Sequence, residues 1–84
     1  MNDREFLILR NLLKSLKEAG DYPVLTEHLY GDVSMATRQL SVSEFDEVIV
    51  TADERRYVTS ISSERGTKYA ITDAGRAWLQ NNRA

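Results

Sequence analysis

"YVTSISSERGTKYAIT", residues 57–72, decides the fold. Residues 57–61 are β-branched and aromatic with no helical period, and 67–71 repeat that character. Between them "SERG" (63–66) has turn chemistry, with Gly66 able to take a positive φ. Two short strands joined by such a turn predict a β-hairpin. Thr72 then opens a last helix as its cap, and Ala74, Ala77 and Trp78 are expected on its inward side.

Upstream, "SVSEFDEVIV" (41–50) begins another helix. Ser41 and Glu44 match the Ser-x-x-Glu capping box, in which each residue satisfies the other's backbone amide. Phe45, Val48, Ile49 and Ala52 recur at helical spacing and predict the buried face. The acids near its start suit the positive end of the helix dipole, and Arg55 and Arg56 suit its negative end. The N-terminal element covers residues 3–19, capped by Asn2 or Asp3 and stopped at Gly20. Its inward stripe is expected at Phe6, Leu9, Leu13 and Leu16, widened by Leu12 and Ala19. Pro23 makes "YPVL" (22–25) extended. Residues 26–40 are compatible with one short helix or two: Thr26 capping a turn ended by Gly31, then Ser34 capping a second piece through Gln39. Leu40 anchors the core before the next turn.

The order is helix, short strand, one or two short helices, helix, hairpin, helix. It predicts an α+β fold, a winged helix-turn-helix with a helical core, a C-terminal two-stranded β-hairpin wing and a final helix. At 84 residues the whole chain, 1–84, is expected to be one domain.

The ending "ERRYVTSI…GTKYAITDAGRAWL" resembles that of the winged-helix superfamily, where an Ile-Thr-x-x-Gly step, here Ile71, Thr72 and Gly75, opens the last helix. A narrower resemblance, in "SEFDEVIVTADERRYV", is to the small YjcQ-type proteins of Gram-positive bacteria and their phages. Two departures stand out: many relatives have Gly where this chain has Arg56, and the stretch from Thr26 to Leu40 is longer. The resemblance implies a small protein of bacterial or phage origin that binds DNA or acts in transcription. Many winged helices serve instead as protein-interaction modules, so the fold alone does not choose.

Composition narrows the choices. The chain has no cysteine, which excludes disulfides and zinc-thiolate sites. Its single histidine, His28, has no second imidazole to complete a metal site, and no catalytic triad or phosphate-cradling glycine loop is present. The expectation is a non-enzymatic protein with no cofactor and no bound metal. Arg10, Lys14 and Lys17 interrupt the apolar run of the first helix, so it is not a membrane span, and an intracellular, cytoplasmic protein is expected.

Charge is unevenly placed under a formal net charge of −2. Residues 41–54 hold five acids and no base, whereas residues 55–84 hold six bases against two acids. Helices that read DNA offer Arg, Lys, Asn or Gln to base edges and phosphates. The outward face of this helix, centred on Glu47, Val50 and Glu54, does not. Three uses of it stay open: a solvated face, a protein-binding surface, and direct reading of bases. Phosphate contacts are expected instead from Arg65, Lys68 and Ser63 at the hairpin, from Arg38 near the turn, and from Lys14 and Lys17 on the first helix. A protein partner would use Glu47, Val50 and Glu54. The apolar side of the first helix, including Ile8, Leu12 and Ala19, looks wider than one small core needs, which predicts a homodimer seam.

Overall fold

The computed structural model describes residues 1–82. Its elements are α1 (Asp3–Glu18), β1 (Val24–Leu25), α2 (Thr26–Ala36), α3 (Val42–Glu54), β2 (Val58–Ser63), β3 (Gly66–Ile71) and α4 (Asp73–Asn81). The three strands form one antiparallel sheet in the order β1-β3-β2. This is the expected winged helix-turn-helix, with β1 added to the two strands of the wing.

Helix α1 is the hub. It starts at Asn2, whose side chain accepts the Glu5 amide at 2.8 Å, and ends before Gly20, which takes φ +69°. Helices α2, α3 and α4 and strand β3 all pack on it. Ile8, Leu9, Leu12 and Leu13 are therefore fully buried and Leu16 nearly so. Each such side chain contributes about 1.5–3 kcal/mol of apolar burial. The homodimer seam expected on α1 does not survive this arrangement. Ile8 and Leu12, taken for its outer edge, are 0 % exposed, because one central helix buries residues on several sides at once. Phe6, by contrast, sits at the rim, its ring tilted 51° against Trp78 with ring centroids 5.2 Å apart.

Residues 26–36 are one helix, so the expected stop at Gly31 and the second helix capped by Ser34 are both corrected. Leu29 and Val33, one turn apart across Gly31, are buried against the core, and that packing outweighs the roughly 1 kcal/mol propensity cost of a helical glycine. Ser34 donates its hydroxyl back to the Gly31 carbonyl at 2.9 Å instead of capping. Thr26 does not cap either; its hydroxyl donates to the Thr67 carbonyl at 2.8 Å and ties the start of α2 to β3.

Helix α3 follows the sequence closely. The capping box is complete, and Phe45, Val48, Ile49 and Ala52 are buried. It ends at Arg55, and Arg56 takes φ +61°. That left-handed backbone explains why glycine suits the position and why arginine there carries strain of about 1–2 kcal/mol. Helix α4 starts at Thr72, whose hydroxyl oxygen accepts the Gly75 amide at 3.1 Å while its hydroxyl donates to the Arg56 carbonyl at 2.6 Å. The Thr72 amide donates to the Tyr57 carbonyl at 3.1 Å. These bonds fix the phase of α4 so that Gly75 and Leu79 face inward. Ala74 and Ala77, expected inside, are exposed, and Trp78 is half-buried between Phe6 and Tyr57.

Candidate nucleic-acid interface

The turn between α2 and α3 is held by three side chains. From α1, the Arg4 Nε donates to Glu44 Oε2 at 2.9 Å, and its Nη2 donates to the carbonyls of Arg38 at 2.9 Å and Gln39 at 3.1 Å. Asn11 Nδ2, also on α1, donates to the buried Thr37 hydroxyl at 2.8 Å. From α2, the Tyr30 hydroxyl donates to the Leu40 carbonyl at 3.0 Å, and the Tyr30 ring meets Phe45 edge-on. Gln39 takes φ +54° inside this turn, a conformation tolerated because its neighbours are pinned.

Glu44 joins the capping box to the Arg4 node. Its carboxylate accepts from Arg4 and from the Ser41 amide, which is 3.1 Å away. The Arg4 hydrogen bond first, and the Ser41 amide second, hold its pKa down at about 2. Glu44 is therefore ionised at neutral pH and faces its own turn, not a ligand.

The other α3 acids stand outward. Asp46, Glu47, Asp53 and Glu54 are exposed, along with Ser43 and Val50. No base lies on this helix. At about 7 Å in water, each acid costs a nearby phosphate about 0.6 kcal/mol. Their field reaches the sheet: burial raises the Tyr69 hydroxyl pKa, and the charges of Asp53 and Asp46 add to the rise. Glu47 and Val50, two of the residues expected to meet a protein, line a shallow groove with Glu5, Asp46 and Thr51. Glu54, the third, is not part of its lining.

The expected phosphate-contacting residues fall into three places. Glu64 and Arg65 form the tip of the hairpin, closed by the Ser63–Gly66 pair, with Gly66 at φ +123°. Arg65 is exposed. The register puts Lys68 opposite Ile61 and beside Leu25, on the sheet face away from the buried Val58–Ile71 pair. Ser63 donates its hydroxyl to the Gly66 carbonyl at 2.6 Å, so its proton serves the turn. Arg38 is exposed in the turn before α3. Lys14 lines a separate groove between α1 and α2 with Asn11, Ser15, Glu18, Asp32, Met35 and Ala36. That groove holds no wing or α3 residue, so the structure does not gather Lys14 with Arg65 and Lys68. Lys17 stands exposed in the last turn of α1.

One positioning residue was missed from sequence, and the role of a second was not read. Arg4 carries no local signal, since its partner is 40 residues away. Gly75 was visible as part of the Ile-Thr-x-x-Gly step, but the reason for it was not: a Cβ there would run into the Tyr57 carbonyl oxygen.

No family model and no curated protein matches the chain. Among solved structures, a candidate transcriptional regulator from Thermoplasma acidophilum is 31 % identical with a TM-score of 0.78, covering 94 % of this chain and 77 % of that one. The chain belongs to the same winged-helix family. SSV1 F-93 shares the fold at 15 % identity, with a TM-score of 0.69 over 96 % of this chain and 82 % of its own. In the winged-helix frame α2 and α3 are the helix-turn-helix, α3 is the helix that such proteins lay in the major groove, and β2–β3 is the wing. Among the described residues no His, Cys, Asp or Glu cluster could hold a metal ion, and no helix is long and apolar enough to cross a membrane.

Proposed function

We propose that this winged helix is a non-enzymatic, cytoplasmic DNA-binding protein of transcription whose contacts run through phosphates, not through bases read by α3. The observation that carries it is the shared fold, over 94 % of the chain, with a candidate transcriptional regulator. The charge layout selects the mode. Arg65 projects from the tip of the hairpin, Lys68 lies behind it on β3, and Arg38 stands in the pinned turn, whereas the outward face of α3 repels a duplex. Lys14 and Lys17 would add contacts from the α1 side, and Ser63 would act by shaping the tip. A protein binding in this way discriminates poorly among sequences. The bacterial or phage origin and the YjcQ-type kinship belong to the same proposal, supported by the "SEFDEVIVTADERRYV" motif.

The test is fluorescence anisotropy with a labelled duplex across a salt series. Binding weakens with salt, and Arg65→Ala with Lys68→Ala lowers affinity and flattens the log–log salt slope by about 2. Unchanged affinity and slope in that double variant would remove the wing from the interface.

A second reading has one observation in its favour: the α3 groove in which exposed Val50 lies among Glu5, Asp46 and Glu47. It suits a basic segment of a protein partner. On this reading no duplex binds even at low salt, and Glu47→Lys abolishes the partner's binding.

A further inference from the structure

We propose that β2 is a self-association edge: two copies pair their β2 strands antiparallel about Ile61, joining two three-stranded sheets into one of six strands across a two-fold axis. Strand β2 lies at the edge of the sheet, paired only with β3 among the described residues. Proteins commonly protect such edges with lysine, proline or a bulge. The residues 58–63, "VTSISS", hold no charge and no proline, and the register with β3 runs from Val58 to Ser63 without a break. At its centre Ile61 is 42 % exposed, an apolar side chain left partly open to solvent.

Backbone geometry fits a partner strand. Ser63 and Gly66 close a two-residue turn, and such a closing pair exchanges its backbone hydrogen bonds. The alternation of the ladder then makes Ile61 and Thr59 bond inward to β3, and turns the N–H and C=O of Ser60 and Ser62 toward the free edge. With Ile61 opposite its own copy, Ser60 of each strand meets Ser62 of the other, and both pairs can exchange hydrogen bonds. Ile61 and its copy then form the close, non-hydrogen-bonded pair, in which side chains approach most nearly.

The side chains favour a second copy over an arbitrary peptide. Residues 59–63 read Thr-Ser-Ile-Ser-Ser, which is nearly the same in either direction. Reversal therefore sets hydroxyl against hydroxyl and Ile against Ile, with no like charges opposed. Lys68, the base next to Ile61 on that face, would be roughly 14 Å from its copy, three strand spacings away. Salt screens that repulsion at physiological strength. Pairing a single short edge buries little surface, so the dimer is weak and forms at high concentration.

The test combines sedimentation with NMR of the full chain from low concentration to about 1 mM, the range a weak interface requires. The proposal expects a mass rising toward two chains, with the Ser60, Ile61 and Ser62 amides shifting in step. Ile61→Lys opposes two charges at the axis and abolishes the rise. Ser62→Pro removes an outward N–H, which an edge strand tolerates, and does the same. The near-UV signal of Trp78 against Phe6 reports that each variant is folded. A constant single-chain mass with unshifted Ser60 and Ser62 amides overturns the proposal. So does a dimer that survives both substitutions. Neither result depends on whether the protein binds DNA.

Discussion

Replacing Gly75 by alanine should unfold the domain at a markedly lower temperature, and the sign of the effect tests the packing. Gly75 lies in the first turn of α4, where alanine is ordinarily the better helix former by about 1 kcal/mol. Here the added methyl meets the Tyr57 carbonyl oxygen, with the Tyr57 carbonyl carbon at 3.1 Å and Ile71 Cγ1 at 2.9 Å. The carbonyl cannot step aside cheaply, because it accepts the Thr72 amide at 3.1 Å, and Thr72 is also bonded to Arg56. Overpacking of this kind costs about 1–3 kcal/mol, and a backbone obstacle puts it at the upper end. Net of propensity, the loss is about 2 kcal/mol, or a fall in Tm of roughly 8–16 °C for a domain this small. Gly31→Ala is the control. Gly31 is mid-helix in α2 with nothing within 4 Å of the new methyl, so alanine should stabilise by about 1 kcal/mol. Thermal and urea denaturation followed by circular dichroism read both. If Gly75→Ala matched or exceeded the wild-type Tm, the close approach of α4 to the α3–β2 junction would be wrong.

Other outcomes follow from the same contacts. Arg56→Gly should raise stability by up to about 1 kcal/mol, because relief of the left-handed strain exceeds the entropy glycine adds to the unfolded chain; urea midpoints measure it. Glu44 has a folded pKa lowered to about 2, so its contribution to stability is complete above the ordinary carboxylate range and is lost as pH falls through about 2. Carbon-detected NMR titration should find that low value, and Arg4→Met should return it toward the usual carboxylate range. Glu47→Lys should strengthen duplex binding by removing one repulsive charge and adding an attractive one, and anisotropy at fixed salt should register a several-fold gain. No gain would mean that the α3 acids do not weaken duplex binding, which the charge argument requires.

Much of the fold was legible where a local rule had no competitor. Ser41 and Glu44 form their capping box whatever the rest of the chain does, and Thr72 caps α4 in the same way. The wing was readable because Gly66 separates two β-branched runs. Elsewhere tertiary packing decided. Gly31 looks like a stop until Leu29 and Val33 are seen to share a buried face across it. The phase of α4 was misplaced because Ala74, Ala77 and Trp78 do look apolar. The helix turns Gly75 inward because it must pass close to Tyr57, a contact without sequence signature. The width of α1, taken for a second interface, measures how many elements surround one helix. For the site, charges could be read but not grouped. The structure keeps Lys14 in another groove, assigns the Ser63 proton to its own turn, and makes Arg4 the clamp of the helix-turn-helix.

The most direct measurement is a two-dimensional NMR titration of labelled protein with a short random-sequence duplex at low salt. The account predicts shifts at the wing around Arg65, Thr67 and Lys68, at the turn around Arg38 and on α1 around Lys14 and Lys17, with the amides of Asp46, Glu47 and Val50 left in place. Shifts concentrated on the outward face of α3, or none anywhere, would contradict it.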